Sequence, residues 1–185
     1  MASPTMQSPI TKTYPTNPGA ALTLADESTT YKTLVRAAAG TSARGSLAVA
    51  YGSSSNTGEV LTAGSRPDEW ILIGSADAVR SRIGVLDTSG HVSVVDWTHG
   101  RAMFRLSGVR AGDALSKVCS IDLSDSMTPN GAVVSASVAK VGCDLIRNDM
   151  NGAKSFLLLC DRSFAQYLFD ALIDTCNEFG VDAVT

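Results

Sequence analysis

Histidine is nearly absent: His91 and His99 are the only two in 185 residues. The four cysteines, Cys119, Cys143, Cys160 and Cys176, include no Cys-x-x-Cys pair. Zinc sites draw on paired cysteines with supporting histidines, so no metal-binding residues are expected. Each cysteine sits among apolar neighbours and reads as a small buried hydrophobe. Excess positive charge is also missing. A net charge of −3 argues against a protein that binds nucleic acid by neutralising phosphates. No apolar run is long enough to cross a bilayer, so no membrane partner is expected. The N-terminus has no basic segment followed by an apolar core, and its first cation is Lys12. Neither a secretory signal nor an arginine-rich transit peptide is expected, and a cytoplasmic, reducing location is the default expectation.

What is present is an ordinary globular balance, with 44% hydrophobic and 18% charged residues. A chain of this size buries roughly two thirds of its unfolded surface and needs no disulfide staples. Residues 1–30 differ from the rest. Pro4, Pro9, Pro15 and Pro18 fall here, spaced by Ser and Thr. Proline lacks an N–H and fixes φ, so the segment is expected to be an extended arm, neither helix nor central strand, available to lie along a partner. Residues 31–185 are expected to form one compact domain.

Within that domain the periodicity predicts strands at Thr33–Ala37, Glu59–Thr62, Glu69–Ile73, Val92–Trp97 and Arg101–Leu106. Further strands are expected at Val133–Val138, Cys143–Arg147 and Ser155–Cys160. Ser42 is expected to cap a short helix with Ala43, Leu47, Ala50 and Tyr51 on one face, ended by Gly52. Asp77–Ile83 suits another, starting from Ser75 or Ala76. After Gly108 a third presents Ala111, Ala114, Leu115 and Val118. Asn151-Gly152 signals a tight turn. The last helix is marked by Ser163 and Gln166, spaced as a capping box, and by an apolar stripe of Phe164, Leu168, Ala171, Leu172, Cys176 and Phe179; Gly180 is expected to end it. This order predicts an α+β fold with helices on one side of a sheet, as a ferredoxin-like half or two related halves.

Candidate chemistry is sparse. Gly40-Thr41-Ser42-Ala43-Arg44-Gly45 lies between a strand and a helix, where an anion can be cradled. A phosphate-binding loop needs Lys and then Ser or Thr after the second glycine; Ser46 and Leu47 stand there instead, which favours a turn with a helix cap. Asp96, His99 and Cys119 are the residue types of a cysteine nucleophile, but nothing in their spacing brings them together. No catalytic, cofactor-binding or metal-binding residue is therefore assigned. Arg66-Pro67-Asp68-Glu69-Trp70 reads either as a surface turn with Trp70 in the core or as an interface patch, since Trp and Arg are favoured at binding hot spots. Arg162 either pairs with Asp161 or reaches a partner chain.

These segments also carry a resemblance. Arg66–Gly74, Arg105–Gly108 with Ala114-Leu115, Cys119–Leu123, Pro129–Gly131, Asp144–Arg147 and Asp161–Phe169 follow one another in an order that resembles the gamma subunit of heterotetrameric sarcosine oxidase. Ser8-Pro9-Ile10 is in keeping with it. The longer Ser/Thr-rich start departs from the pattern, as does Phe169, where that family is expected to carry Trp. The resemblance implies a fold like the folate-binding domain of glycine-cleavage aminomethyltransferases. It implies alpha, beta and delta partner subunits, in an enzyme that oxidatively demethylates sarcosine to glycine. The products are hydrogen peroxide and formaldehyde or methylene-tetrahydrofolate. FAD, FMN, NAD and tetrahydrofolate are then expected in alpha and beta and zinc in delta, with this chain stabilising the assembly. The alternative is a free-standing folate-binding one-carbon protein.

Overall fold

A computed structural model describes residues 6–185; Pro4 of the predicted arm lies outside them. The chain repeats one pattern. The first copy is β2 (Tyr31–Ala37), α1 (Ser42–Leu47), β3 (Ser54–Thr57), β4 (Val60–Arg66), β5 (Glu69–Gly74), α2 (Ala76–Gly84) and β6 (Val92–Asp96). The second is β7 (Arg101–Ser107), α3 (Ala111–Ser116), β8 (Val133–Val138), β9 (Val141–Arg147), β10 (Ser155–Asp161), α4 (Ala165–Cys176) and β11 (Val181–Val184). β1 (Leu22–Asp26) precedes both.

The sheets confirm the repeat. One runs β3-β4-β5-β2-β6 and the other β11-β1-β7-β10-β9-β8. Leaving aside the hairpin strands β3 and β8, each half is strand–helix–strand–strand–helix–strand in the ferredoxin-like spatial order, last-first-third-second. The one irregularity is β1, inserted between β11, which it meets in parallel, and β7, which it meets antiparallel.

Three apolar layers explain the sequence pattern. Leu34, Leu61, Ala63, Ile71 and Ile73 of one sheet meet Met103, Val133, Ile146, Leu157 and Leu159 of the other, so the sheets pack face to face. Phe104, Leu106, Phe156, Leu158 and Cys160 point the opposite way, onto α3 and α4. Val35, Trp70 and Leu72 pack under α1 and α2. Strands covered on both faces lose the polar alternation of a half-exposed strand. That is why Phe156–Cys160 and Trp70–Ile73 are unbroken apolar runs, and why Met103, expected opposite Phe104, is as buried as Phe104. Fully burying one such side chain contributes about 1.5–3 kcal/mol.

Several local expectations are met. Ser75 caps α2, its hydroxyl accepting from the Ala78 N–H at 3.3 Å. Asn151 and Gly152 both have positive φ (52° and 76°), as a two-residue hairpin turn of this type requires. Others are corrected. Leu22–Asp26, assigned to the extended arm, is an interior strand: its residues lack proline, and β7 and β11 supply ladders on both sides. α1 stops at Leu47, because Ala48 turns left-handed (φ 52°), so Ala50 and Tyr51 are not on its face. The capping box does not form. A 3₁₀ turn occupies Arg162–Phe164, α4 begins at Ala165 without a side-chain cap, and Phe164 is exposed. Gln166 is engaged by the arm instead: its amide oxygen accepts from the Thr11 N–H at 2.9 Å and its nitrogen donates to the Tyr14 hydroxyl at 2.7 Å.

Candidate functional site

The chain crosses between the sheets twice near one place, from β1 into β2 through residues 27–30 and from β6 into β7 through residues 97–100. Backbone groups in a crossing have no ladder partner and must find one elsewhere. Lys32 supplies it. Its side chain is fully buried, and its ammonium donates to the Ser28 and Thr30 carbonyls, both at 2.8 Å. Burial pulls its pKa down to about 8, against the opposing pull of Asp26, Asp96 and Glu27. The Lys32 N–H donates to the Thr98 hydroxyl at 3.1 Å, joining the two crossings. Ser28 accepts from the Met103 N–H at 3.1 Å, and Arg105 holds Glu27 at 2.6 Å and Ser155 at 3.0 Å. Nothing in the sequence marks Lys32, since a lysine at a strand start normally reads as exposed.

A second polar centre surrounds Arg147, which is 5% exposed. It grips Asp149 with two nitrogens at 3.0 and 2.9 Å and donates to Asp125 at 2.6 Å and to the Thr128 carbonyl at 2.7 Å. Lys154 also reaches Asp125, at 2.8 Å. The loop after α3 is thereby pinned to the hairpin before β10. Arg66 lies at the inter-sheet seam and donates to Asp144 at 2.9 Å and Ser135 at 2.8 Å, linking β4 to β8 and β9 of the other sheet.

The structure separates the residues that chemistry would need together. Cys119 lies in the layer under α3 and α4, whereas Asp96 ends β6 on the far sheet and accepts from the Thr98 N–H at 2.8 Å. All four cysteines are free and buried. Burial pushes the Cys143 and Cys160 thiols up to about 12 and Cys176 up to about 11, away from nucleophilic thiolate character. Among the described residues no cluster of three or more His, Cys, Asp or Glu could hold a metal ion. No helix among them is long and apolar enough to cross a membrane.

Gly40, Thr41, Arg44 and Gly45 line an open cleft of about 610 Å³ with Tyr51, Pro67 and Trp70. Trp70 is a core residue there: its indole donates to the Val49 carbonyl at 2.8 Å, and Arg44 stacks 5.8 Å above its ring. Glu69 pairs with Arg36. Arg162 does not pair with Asp161. Asp161 binds Arg101 at 2.9 Å, while Arg162 donates to the Gln7 carbonyl of the arm at 2.8 Å.

These features define a class: an α+β protein of two ferredoxin-like halves packed sheet to sheet, with Lys32 and Arg147 buried and engaged in holding a crossing and a loop. Aminomethyltransferase T of the glycine cleavage system from Bartonella henselae shares the fold, with a TM-score of 0.68 at 14% identity over 89% of this chain. That match covers 48% of the transferase, so the chain spans about half its length. Heterotetrameric sarcosine oxidase from Corynebacterium sp. U-96, in complex with pyrrole 2-carboxylate, contains a chain that superimposes with a TM-score of 0.75. Its identity is 23%, over 89% of this chain and 88% of that one. No curated protein sequence matches significantly. The sarcosine oxidase gamma subunit family model matches residues 28–178, which spans both halves, and the chain belongs to that family.

Proposed function

We propose that this chain is the structural gamma subunit of a four-subunit sarcosine oxidase and contributes surface and stability while its partners carry the chemistry. The observation that carries this reading is the family match across both halves. The state of the polar groups supports it. Lys32, Arg66, Arg105 and Arg147 are all committed to internal partners, all four thiols are buried, and burial holds those of Cys143, Cys160 and Cys176 protonated. On this reading the alpha, beta and delta subunits are the partners, in the cytoplasm. FAD, FMN, NAD and tetrahydrofolate reside in alpha and beta and zinc in delta. The assembly oxidises sarcosine to glycine with hydrogen peroxide and formaldehyde or methylene-tetrahydrofolate.

The test is purification of the native protein through a tag on this chain. A flavin-containing complex with equimolar subunits and sarcosine-dependent peroxide release is expected. Recovery as a stable monomer without any flavoprotein would overturn the reading. The fold shared with aminomethyltransferase T favours one other reading, a free-standing folate-binding protein. Micromolar or tighter binding of tetrahydrofolate by the isolated chain would select it.

A further inference from the structure

Sheet edges expose backbone donors and acceptors, and most proteins blunt them with charge, proline, bulges or short length. Here most edges are blunted. β8 is flanked at its ends, where Ser53 bridges Ala132 just before the strand and Cys119 bridges Val138. β3 is the short polar Ser-Ser-Asn-Thr. β11 is four residues long, and its Asp182 accepts from the Asn17 N–H. β6 has no such cover. It carries neither lysine nor proline, its one charge is Asp96 at its last position, and Val94 and Val95, on opposite faces, are 39% and 47% exposed.

Its ladder fixes which groups are free. The Trp97 N–H donates to the Lys32 carbonyl at 2.8 Å and Ala38 donates to the His91 carbonyl at 3.1 Å. With the register Val35 to Val94 and Leu34 to Val95, residues 91, 93, 95 and 97 turn their backbone groups toward β2. Val92, Val94 and Asp96 therefore turn theirs outward. The Val92 N–H is used locally by the Gly90 carbonyl at 3.0 Å, whereas Val94 and Asp96 N–H have no partner among the described residues. Val94 continues the apolar layer that includes Val35 and Val92 under the helices, and Val95 continues the layer between the sheets beside Leu34.

We propose that β6 is a docking edge on which an extended segment of another subunit adds as a sixth strand, with apolar side chains on both faces and a cation aligned with Asp96. This rests on the gamma-subunit reading. A second copy of the chain fits less well. In any antiparallel self-pairing of the outward residues within β6, Asp96 lies opposite Val92, Val94 or another Asp96, never a cation, and like charges directly opposite are unfavourable.

Hydrogen exchange on the native assembly tests it, with Val94→Pro as the variant. The Val94 N–H points outward, so proline there leaves the β2 ladder whole while removing the outward donor. The Val94 and Asp96 amides are expected to exchange at least about tenfold more slowly in the assembly than in the isolated chain. Val94→Pro should weaken assembly by about tenfold or more with the isolated chain still folded. Val95→Lys is the second variant should proline unfold the chain, with the same loss expected. Equal exchange in an assembly that does form would overturn the docking edge and leave the gamma-subunit reading intact. Failure of any assembly to form would overturn both. A homodimer that Val94→Pro converts to monomer would assign the edge to a second copy and overturn the proposal.

Discussion

The Lys32→Met substitution isolates the energetic role of the buried lysine. The folded chain holds the Lys32 ammonium at a pKa of about 8, chiefly because burial disfavours the charge, whereas an unfolded chain titrates it near 10.5. Below pH 8 both states carry the proton, and the folded state bears the full cost of a buried charge. Between pH 8 and 10.5 the folded state has released its proton and the unfolded state has not. The unfolded state then binds more protons, so stability contributed by this site rises with pH. The gap corresponds to about 3 kcal/mol once pH 10.5 is passed. Total stability does not show this directly, because Cys143, Cys160 and Cys176 stay protonated in the fold and favour unfolding above pH 9. The readout is therefore the difference between wild type and Lys32→Met in urea unfolding free energy, measured from pH 7 to 10.5. The offset at pH 7 mixes two lost carbonyl bonds with relief of a buried charge, so only the slope is diagnostic. We expect the difference to move in favour of wild type by about 3 kcal/mol across the window. Parallel curves would refute the assignment of a buried, depressed lysine.

Three further outcomes follow from the same geometry. Arg66→Ala leaves the buried Asp144 with the Ser135 hydroxyl at 3.2 Å; a loss of about 2 kcal/mol is expected by chemical denaturation, below that of a fully buried pair because Arg66 is half exposed. Burial first, and the bond to Asp170 second, push the Tyr14 hydroxyl up to about 12; Asp170→Asn should lower that value without restoring 10 in an ultraviolet titration, and should expose the arm near Lys12 to trypsin. Thiol labelling at pH 8 should find all four cysteines protected in the native chain, reacting about a hundredfold or more faster in urea; rapid native labelling of Cys143 or Cys160 would contradict their burial.

Much of this fold is legible in the sequence, for identifiable reasons. Trp70–Ile73 and Phe156–Cys160 announce strands buried on both faces because no polar residue interrupts them. Asn151-Gly152 announces its turn because only certain residues tolerate positive φ at both positions. Features fixed by distant partners are not legible. Leu22–Asp26 becomes a strand only because β7 and β11 flank it, and no local pattern records that. Gln166 sits where a capping box needs it, yet Thr11 and Tyr14, more than 150 residues away, engage its amide. Lys32 and Arg147 look like solvent-facing cations: Ser28, Thr30 and Asp149 lie within four residues of them, but nothing local shows that the second sheet covers Lys32 or that Asp125 and Thr128, about twenty residues away, close over Arg147. Asp96 ends β6 of one sheet while Cys119 lies in the layer under α3 and α4, a separation that their spacing in the chain does not record.

The position of Lys32 follows from the topology. A chain that builds two stacked sheets from consecutive halves must cross between them, and β1 adds a further crossing by pairing with the second half before the first is made. The crossing at residues 27–30 presents the Ser28 and Thr30 carbonyls close to the inter-sheet layer, where an apolar residue would leave both unpaired at a cost of about 1–3 kcal/mol each. A serine or threonine at position 32 has one donor and a short reach. Lysine has three donors on a long apolar stem, so it satisfies both carbonyls while its methylenes fill space among apolar neighbours. The penalty for burying its charge is limited because Asp26, Glu27 and Asp96 lie near enough to favour the protonated form. The same residue that looks misplaced in the local pattern is thus the one the crossing requires.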